Sequence, residues 1–185
     1  FASTVGGTSH AVLLRDWYAD LFLTENKEWR IRAGQSKVPY GFENLQSSQN
    51  RLALDRNDAL NSAVSNERDF GLFLYYAPTH VRERFRRLVD SGLKGSGDYG
   101  MLGFGVYNGQ TANQPERNDD KHMIVRAAYP YEFANGQILE VGVSAYRGMF
   151  NVSKAAIVPL GGGAAVTPRG NNNIRDERAA AYFVL

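Results

Sequence analysis

Trp17-Tyr18-Ala19-Asp20-Leu21-Phe22-Leu23, a polar break over Thr24-Glu25-Asn26-Lys27-Glu28, then Trp29-Arg30-Ile31-Arg32-Ala33-Gly34: this stretch decides the fold. Side chains along a strand alternate between the two faces of a sheet. Leu13, Trp17, Ala19, Leu21 and Leu23 share one parity, and Asp16, Tyr18 and Asp20 share the other. After the break, Trp29, Ile31 and Ala33 alternate with Arg30, Arg32 and Gly34. The reading is a hairpin with one greasy face and one charged face.

The same alternation recurs along the chain. Strands are expected over 69–77 (Phe70, Leu72, Leu74 and Tyr76 on one parity), from 98 onward (Leu102, Phe104, Val106), over 121–131 (Met123, Val125, Ala127) and over 138–148 (Leu139, Val141, Val143, Ala145). Asn135-Gly136 marks a tight hairpin turn between the last two. A strand cut short is expected over 178–185. Residues 79–92 break the pattern. Val81, Phe85, Leu88 and Val89 recur at helical spacing and Gly92 stops the run, so a short amphipathic helix is expected.

Composition narrows the class. The chain has 185 residues, of which 43% are hydrophobic, with a mean hydropathy of −0.38. No apolar run approaches the ~20 residues of a membrane-crossing helix, whereas a barrel strand needs only ~9–11. Cysteine is absent, which excludes a disulfide framework and thiolate metal ligation. The 21 basic and 19 acidic residues balance to +2, which does not point to a nucleic-acid partner. The chain begins at Phe1 without a signal peptide and reads as a mature or internal segment.

Connections alternate in length. Those at 24–28 and 133–136 are short; those at 37–67, 109–120 and 151–174 are long. Outer-membrane barrels pair short periplasmic turns with long external loops. The 79–97 connection falls on the short side and reads as a periplasmic helix. Trp17, Trp29, Tyr75, Tyr76, Tyr107, Tyr129 and Tyr131 lie near the expected strand ends, where aromatic girdles sit. Arg30, Arg32, Arg126, Glu140, Asp16 and Asp20 are costly to bury dry and suit a wet lumen wall, with Gly103 and Gly105 leaving room on that face. The arginines make that wall positive, and such walls favour anions.

Other motifs carry little. Gly95-Ser96-Gly97-Asp98-Tyr99-Gly100 matches a dinucleotide pattern, but a helix precedes it and a strand follows, the reverse of what that chemistry needs; it reads as a flexible turn. His10, His80 and His122 share no ligand spacing, so no metal or other cofactor is expected. Arg82, Arg84, Arg86 and Arg87 read as a solvated helix face. Asp16 and Asp20 read as pore lining rather than an acid–base pair.

Arg32-Ala33-Gly34-Gln35-Ser36-Lys37-Val38-Pro39-Tyr40-Gly41 resembles the strand-to-loop signature of the phosphate-selective porins O and P. Gly105-Val106-Tyr107-Asn108-Gly109, Arg126 ahead of Tyr129-Pro130, and Glu67-Arg68-Asp69 are similar to that family too. The resemblance spans roughly 12–150; the helix at 79–92 departs from its pattern. It implies a homotrimeric outer-membrane barrel of about sixteen strands, a loop folded into the lumen, and uptake of phosphate or other small anions. It makes Arg30, Arg32, Lys37 and Arg126 pore-lining candidates beside Asp16, Asp20 and Glu140. It makes the loop holding Arg51, Asp55 and Arg56 the constriction candidate.

The expectation is therefore an all-β, antiparallel, up-and-down transmembrane β-barrel. About seven strands and one short helix form a single partial barrel domain over 1–185. Single-chain bacterial barrels have even strand numbers, so seven read as a fragment with an open edge. Two rival readings stand: a soluble all-β module binding a ligand such as a sugar, and an outer-membrane barrel hydrolase using His122 near Asp119 and Asp120. Burial parity separates the first from a membrane barrel, because a soluble sheet packs its greasy face inward.

Overall fold

The computed structural model describes residues 14–47, 55–92, 95–151 and 173–185. Seven strands form one sheet: β1 (Trp17–Phe22), β2 (Trp29–Lys37), β3 (Arg68–Tyr76), β4 (Leu102–Tyr107), β5 (His122–Glu132), β6 (Ile138–Asn151) and β7 (Asn173–Val184). They lie in chain order and every neighbour is antiparallel, an up-and-down meander. Among the described residues β1 does not pair with β7, so the sheet is open.

Local chemistry explains the hairpins. Lys27 takes a positive φ of 58° while its N–H donates to the Thr24 carbonyl at 2.9 Å, closing the first turn. Gly136 takes φ 84° at the end of a three-residue loop between β5 and β6, where Phe133 N–H donates to the Gln137 carbonyl at 2.8 Å and Gly136 N–H to the Phe133 carbonyl at 2.9 Å. Three element extents differ from expectation. The alternation begins at Leu13, but β1 starts at Trp17, and Leu13 lies outside the described residues. β4 starts at Leu102, after a bend at 98–99. β7 is not cut short: it begins at Asn173 and runs 12 residues against β6, from Asn151↔Asn173 to Glu140↔Val184. Apolar periodicity missed its first half because Arg175, Asp176, Glu177 and Arg178 are charged on both parities. The expected loop at 151–174 otherwise falls outside the described residues.

Burial parity is inverted relative to a soluble sheet. Trp17 (62% exposed), Leu72 (56%) and Val125 (53%) stand on the outer face with Leu21, Phe104 and Val143. The opposite face buries Arg30, Arg32, Lys37, Arg126, Glu140 and Ser144. A soluble module would pack these the other way round. A continuous apolar outer belt on an antiparallel meander suits a lipid solvent.

Chain segments cover the inner face. Residues 38–47 and 55–67 fold across it, carrying α1 (Asp58–Asn61) and a 3-10 turn (Ser65–Glu67). Gly41 N–H donates to Ser144 Oγ at 3.0 Å on β6, and Arg178 Nη1 on β7 donates to Ser62 Oγ at 2.7 Å. Val38, Tyr40 and Val64 from this segment pack with Phe73, Tyr75, Tyr107, Ile124 and Tyr146. Gly103 and Gly105 do not leave open room: the rings of Tyr75 and Phe73 on the neighbouring strand lie over them.

The helix forms as expected. α2 (Thr79–Asp90) buries Val81, Phe85 and Leu88, and Val81 and Phe85 pack against Ala128, Met101 and Tyr182. Arg86 and Arg87 are exposed, as a solvated face requires, but the helix arginines are largely paired as well. Arg82 pairs with Asp98, and Arg84 and Arg87 both pair with Glu132. No side chain within the helix caps its N-terminus; instead Glu28 from the β1–β2 turn accepts from Thr79 N–H at 2.9 Å and Thr79 Oγ1 at 3.1 Å. The Thr79 amide holds the Glu28 carboxyl below its ordinary value of 4.5. A depressed carboxylate contributes stability above its unfolded pKa and loses it as pH falls through the folded value. Amide exchange at 79–82 is thus expected to speed up below pH 4.5 in the native protein. In Glu28→Gln it should be fast and pH-independent across that window after correction for intrinsic rates, whereas unchanged protection would remove the cap.

Candidate functional site

The inner-face charges are built by strand register. Asp20 on β1 lies opposite Arg32 on β2, and the guanidinium forks onto it: Nε to Oδ1 at 2.7 Å, Nη2 to Oδ2 at 2.8 Å. The Arg32 plane sits 3.8 Å from the Tyr18 ring centre, so the group is held on two sides. Two residues along the same face, Arg30 Nη2 donates to the Asp98 carbonyl at 2.5 Å, and Nη1 is 3.4 Å from the Asp98 carboxylate. Asp98 also receives Arg82 from α2. The turn at 95–100 thereby ties the helix to the barrel wall.

A second knot closes the end of β2. Lys37 Nζ donates to the carbonyls of Leu45 (3.1 Å) and Gln46 (2.6 Å) and lies 3.0 Å from Glu67 Oε2. Arg56 and Arg68 pair with the same Glu67 carboxylate. Arg68 also forks onto Asp16 at 2.8 and 3.0 Å. A third knot stands apart: Arg126 donates to Ser96 Oγ (2.8 Å) and Tyr182 OH (3.0 Å) and lies 3.7 Å from Glu140, which accepts from Ser96 N–H and Tyr182 OH. Ser96 is fully buried, so 95–97 is a pinned turn, not a flexible one.

A cleft of about 510 Å³ opens between the first two knots. Its wall carries six cations (Arg15, Arg30, Arg32, Lys37, Arg68, Arg86) and three carboxylates (Glu67, Asp90, Asp98). Burial pushes the Tyr99 phenol on this wall up to about 12, so it stays a neutral hydroxyl. The cleft is polar, open and positive; Arg30, Arg32, Lys37, Arg68, Glu67 and Asp98 on its wall are held by partners, while Arg15, Arg86 and Asp90 are exposed.

The model of the phosphate-selective porin O and P family matches residues 1–181 of the chain. The chain belongs to this family. Membership supports the general diffusion role of a porin, and the family is one placed in the bacterial outer membrane. Searches of curated proteins and of solved structures gave no match.

Of the residues expected from sequence, the porin brings Arg30, Arg32 and Lys37 to the cleft. Asp16 and Asp20 stand behind it as the counter-charges of Arg68 and Arg32. Arg126 and Glu140 do not line it; they pair with each other behind Ser96, which does. In the loop, Arg56 binds Glu67 and donates to Asn61 Oδ1 at 3.1 Å, while Asp55 accepts from the Arg56 N–H at 2.8 Å; Arg51 lies outside the described residues. Sequence reasoning missed Arg15, Glu67, Arg68, Arg86 and Asp98 as site residues. Arg68 shares the parity of outward Phe70, so alternation hid it. A positive φ of 67° at Glu67 reorients the chain just before that strand. His122 forms no hydrolase-like array: among the described residues its acidic neighbour is Asp176, at 4.0 Å, and neither ring nitrogen is hydrogen-bonded.

Proposed function

We propose that this porin passes small anions, phosphate among them, across the outer membrane along the cleft lined by Arg30, Arg32, Lys37 and Arg68. The observation that carries the reading is the excess of cations over carboxylates on that wall, six against three, with Arg30, Arg32, Lys37 and Arg68 held in place by their partners. A positive wall concentrates anions by long-range attraction and offers guanidinium forks to phosphate oxygens. Asp16 and Asp20 act as positioning residues that hold Arg68 and Arg32, and the infolded segment with Asp55 and Arg56 narrows the path. Arg51 is proposed for the same constriction on sequence grounds alone. Within the outer membrane the 1–185 segment serves as part of a larger barrel, and the working assembly is a homotrimer.

The test is reversal potential in planar bilayers under a salt gradient, on the full-length protein. Discrete conductance steps with anion preference are expected. Arg30→Gln with Arg32→Gln should lower the anion-to-cation permeability ratio several-fold while steps persist. Cation preference in the native channel would overturn the anion reading and point to Asp16, Asp20 and Glu140. Folded protein without conductance would overturn the transport path itself.

A further inference from the structure

Two elements cover the inner face of the sheet from opposite ends. From the end of the long connections comes the 38–67 segment, tied through Gly41 to Ser144 on β6 and through Ser62 to Arg178 on β7. From the end of the short turns comes α2, whose Val81 and Phe85 pack against Ala128 on β5 and Tyr182 on β7. The two meet where the Phe42 ring of the segment stands 5.1 Å from the Tyr182 ring. The inner face over β5–β7 is thereby covered by protein, and the cleft opens beside β1 and β2, with Tyr18, Arg30 and Arg32 on its wall.

The helix also bounds that cleft. Val81, Phe85 and Leu88 are buried, whereas Arg86, Val89 and Asp90 stand on the cleft wall. Residues three and four apart share one side of a helix, which puts these last three together. The other arginines hold the helix in place. Arg82 reaches Asp98 and the Lys27 carbonyl at 2.9 Å, and Arg84 reaches Glu132 and the Pro130 carbonyl at 2.8 Å.

The cations along the cleft are not equivalent. Arg30, Arg32, Lys37 and Arg68 each face a carboxylate partner, respectively Asp98, Asp20, Glu67 and Asp16. Arg86 is exposed and, among the described residues, has no hydrogen-bond or ion-pair partner. An unpaired charge attracts a mobile ion across about a Debye length, roughly 8 Å at physiological ionic strength, whereas a neighbouring carboxylate cancels much of that pull.

We propose that α2 forms a second constriction of the porin, at the short-turn end of the cleft, and that Arg86 is its anion-selecting residue. The proposal rests on the anion-path reading. The infolded segment narrows the path at one end and the helix at the other, where the free guanidinium of Arg86 meets the anion with its donors unoccupied.

The test is reversal potential and step conductance of the full-length protein in planar bilayers under a salt gradient. Arg86→Cys is measured before and after a cationic or an anionic thiosulfonate reagent, with native protein carried through the same treatments as baseline. Expected in Arg86→Cys is a several-fold lower anion-to-cation permeability ratio, restored by the cationic reagent and lowered further by the anionic one. A bulky thiosulfonate on the same variant should cut the step conductance. His80→Cys, on the same helix but off the cleft wall, should keep the native ratio under every reagent. A native ratio in Arg86→Cys that no reagent moves, in a channel that itself prefers anions, would overturn the role of Arg86 alone, as would equal shifts in His80→Cys. Unchanged steps under the bulky reagent would overturn the second constriction. Cation preference or absent steps in the native protein would overturn the anion path and this proposal with it.

Discussion

Gly148→Ala is expected to prevent stable folding of the sheet. The His122 ring lies directly against Gly148 on β6 and against Gly109 beyond β4, and a methyl group at either position would occupy the space of the ring. The ring has nowhere to go. His122 is 2% exposed, with the Tyr107 ring centre at 5.2 Å and that of Tyr146 at 5.7 Å. Relief requires parting β5 from β6, whose pairing is the long register from Met123↔Arg147 to Glu132↔Ile138. Ordinary overpacking costs about 1–3 kcal/mol, and a clash with a caged ring should exceed about 3 kcal/mol. The measurement is urea unfolding of vesicle-refolded protein, followed by the loss of heat-modifiable gel mobility. His122→Ala combined with Gly148→Ala should recover most of the loss, because neighbouring sites couple through shared space. Native stability in Gly148→Ala alone would show that the ring is not confined.

Glu67→Gln is the second large effect. One buried carboxylate serves three cations: Lys37 at 3.0 Å, Arg68 at 3.3 Å and Arg56. Glu67 and its three partners are all largely withdrawn from water. Arg68 keeps Asp16, but buried Lys37 loses its carboxylate, and breaking a buried ion pair costs about 3–5 kcal/mol. Lys37→Met in the same chain removes that unpaired charge and should return part of the stability. The folded fraction of Glu67→Gln carries a reading for transport too. The wall of the cleft loses one of its three carboxylates, so reversal potentials should move further toward anions. A shift toward cations would contradict the proposed path, and unchanged stability would mean that water, not protein, surrounds this cluster.

Much of the architecture was legible before any coordinates. The alternation at 17–23 and 29–34 marks a two-faced hairpin, Asn135-Gly136 marks a turn, and the spacing of Val81, Phe85 and Leu88 marks a helix; each stands where expected. These signals are local. Strand parity repeats every two residues and helix periodicity every 3.6, so neighbouring side chains alone report them. Glu67 and Arg68 mark the limit: Arg68 is buried although it shares the parity of outward Phe70, and the positive φ at Glu67 just before it leaves no mark on the alternation.

What the sequence determined by itself is a chain of antiparallel strands with a greasy face, a charged face and one helix. Which face is buried, and which charges meet, only the tertiary structure decided. Arg30 finds Asp98 across 68 residues and Arg68 finds Asp16 across 52. Those meetings depend on register and on the inward fold of the 38–67 segment, and charge attraction of this kind acts through distance in space rather than distance along the chain.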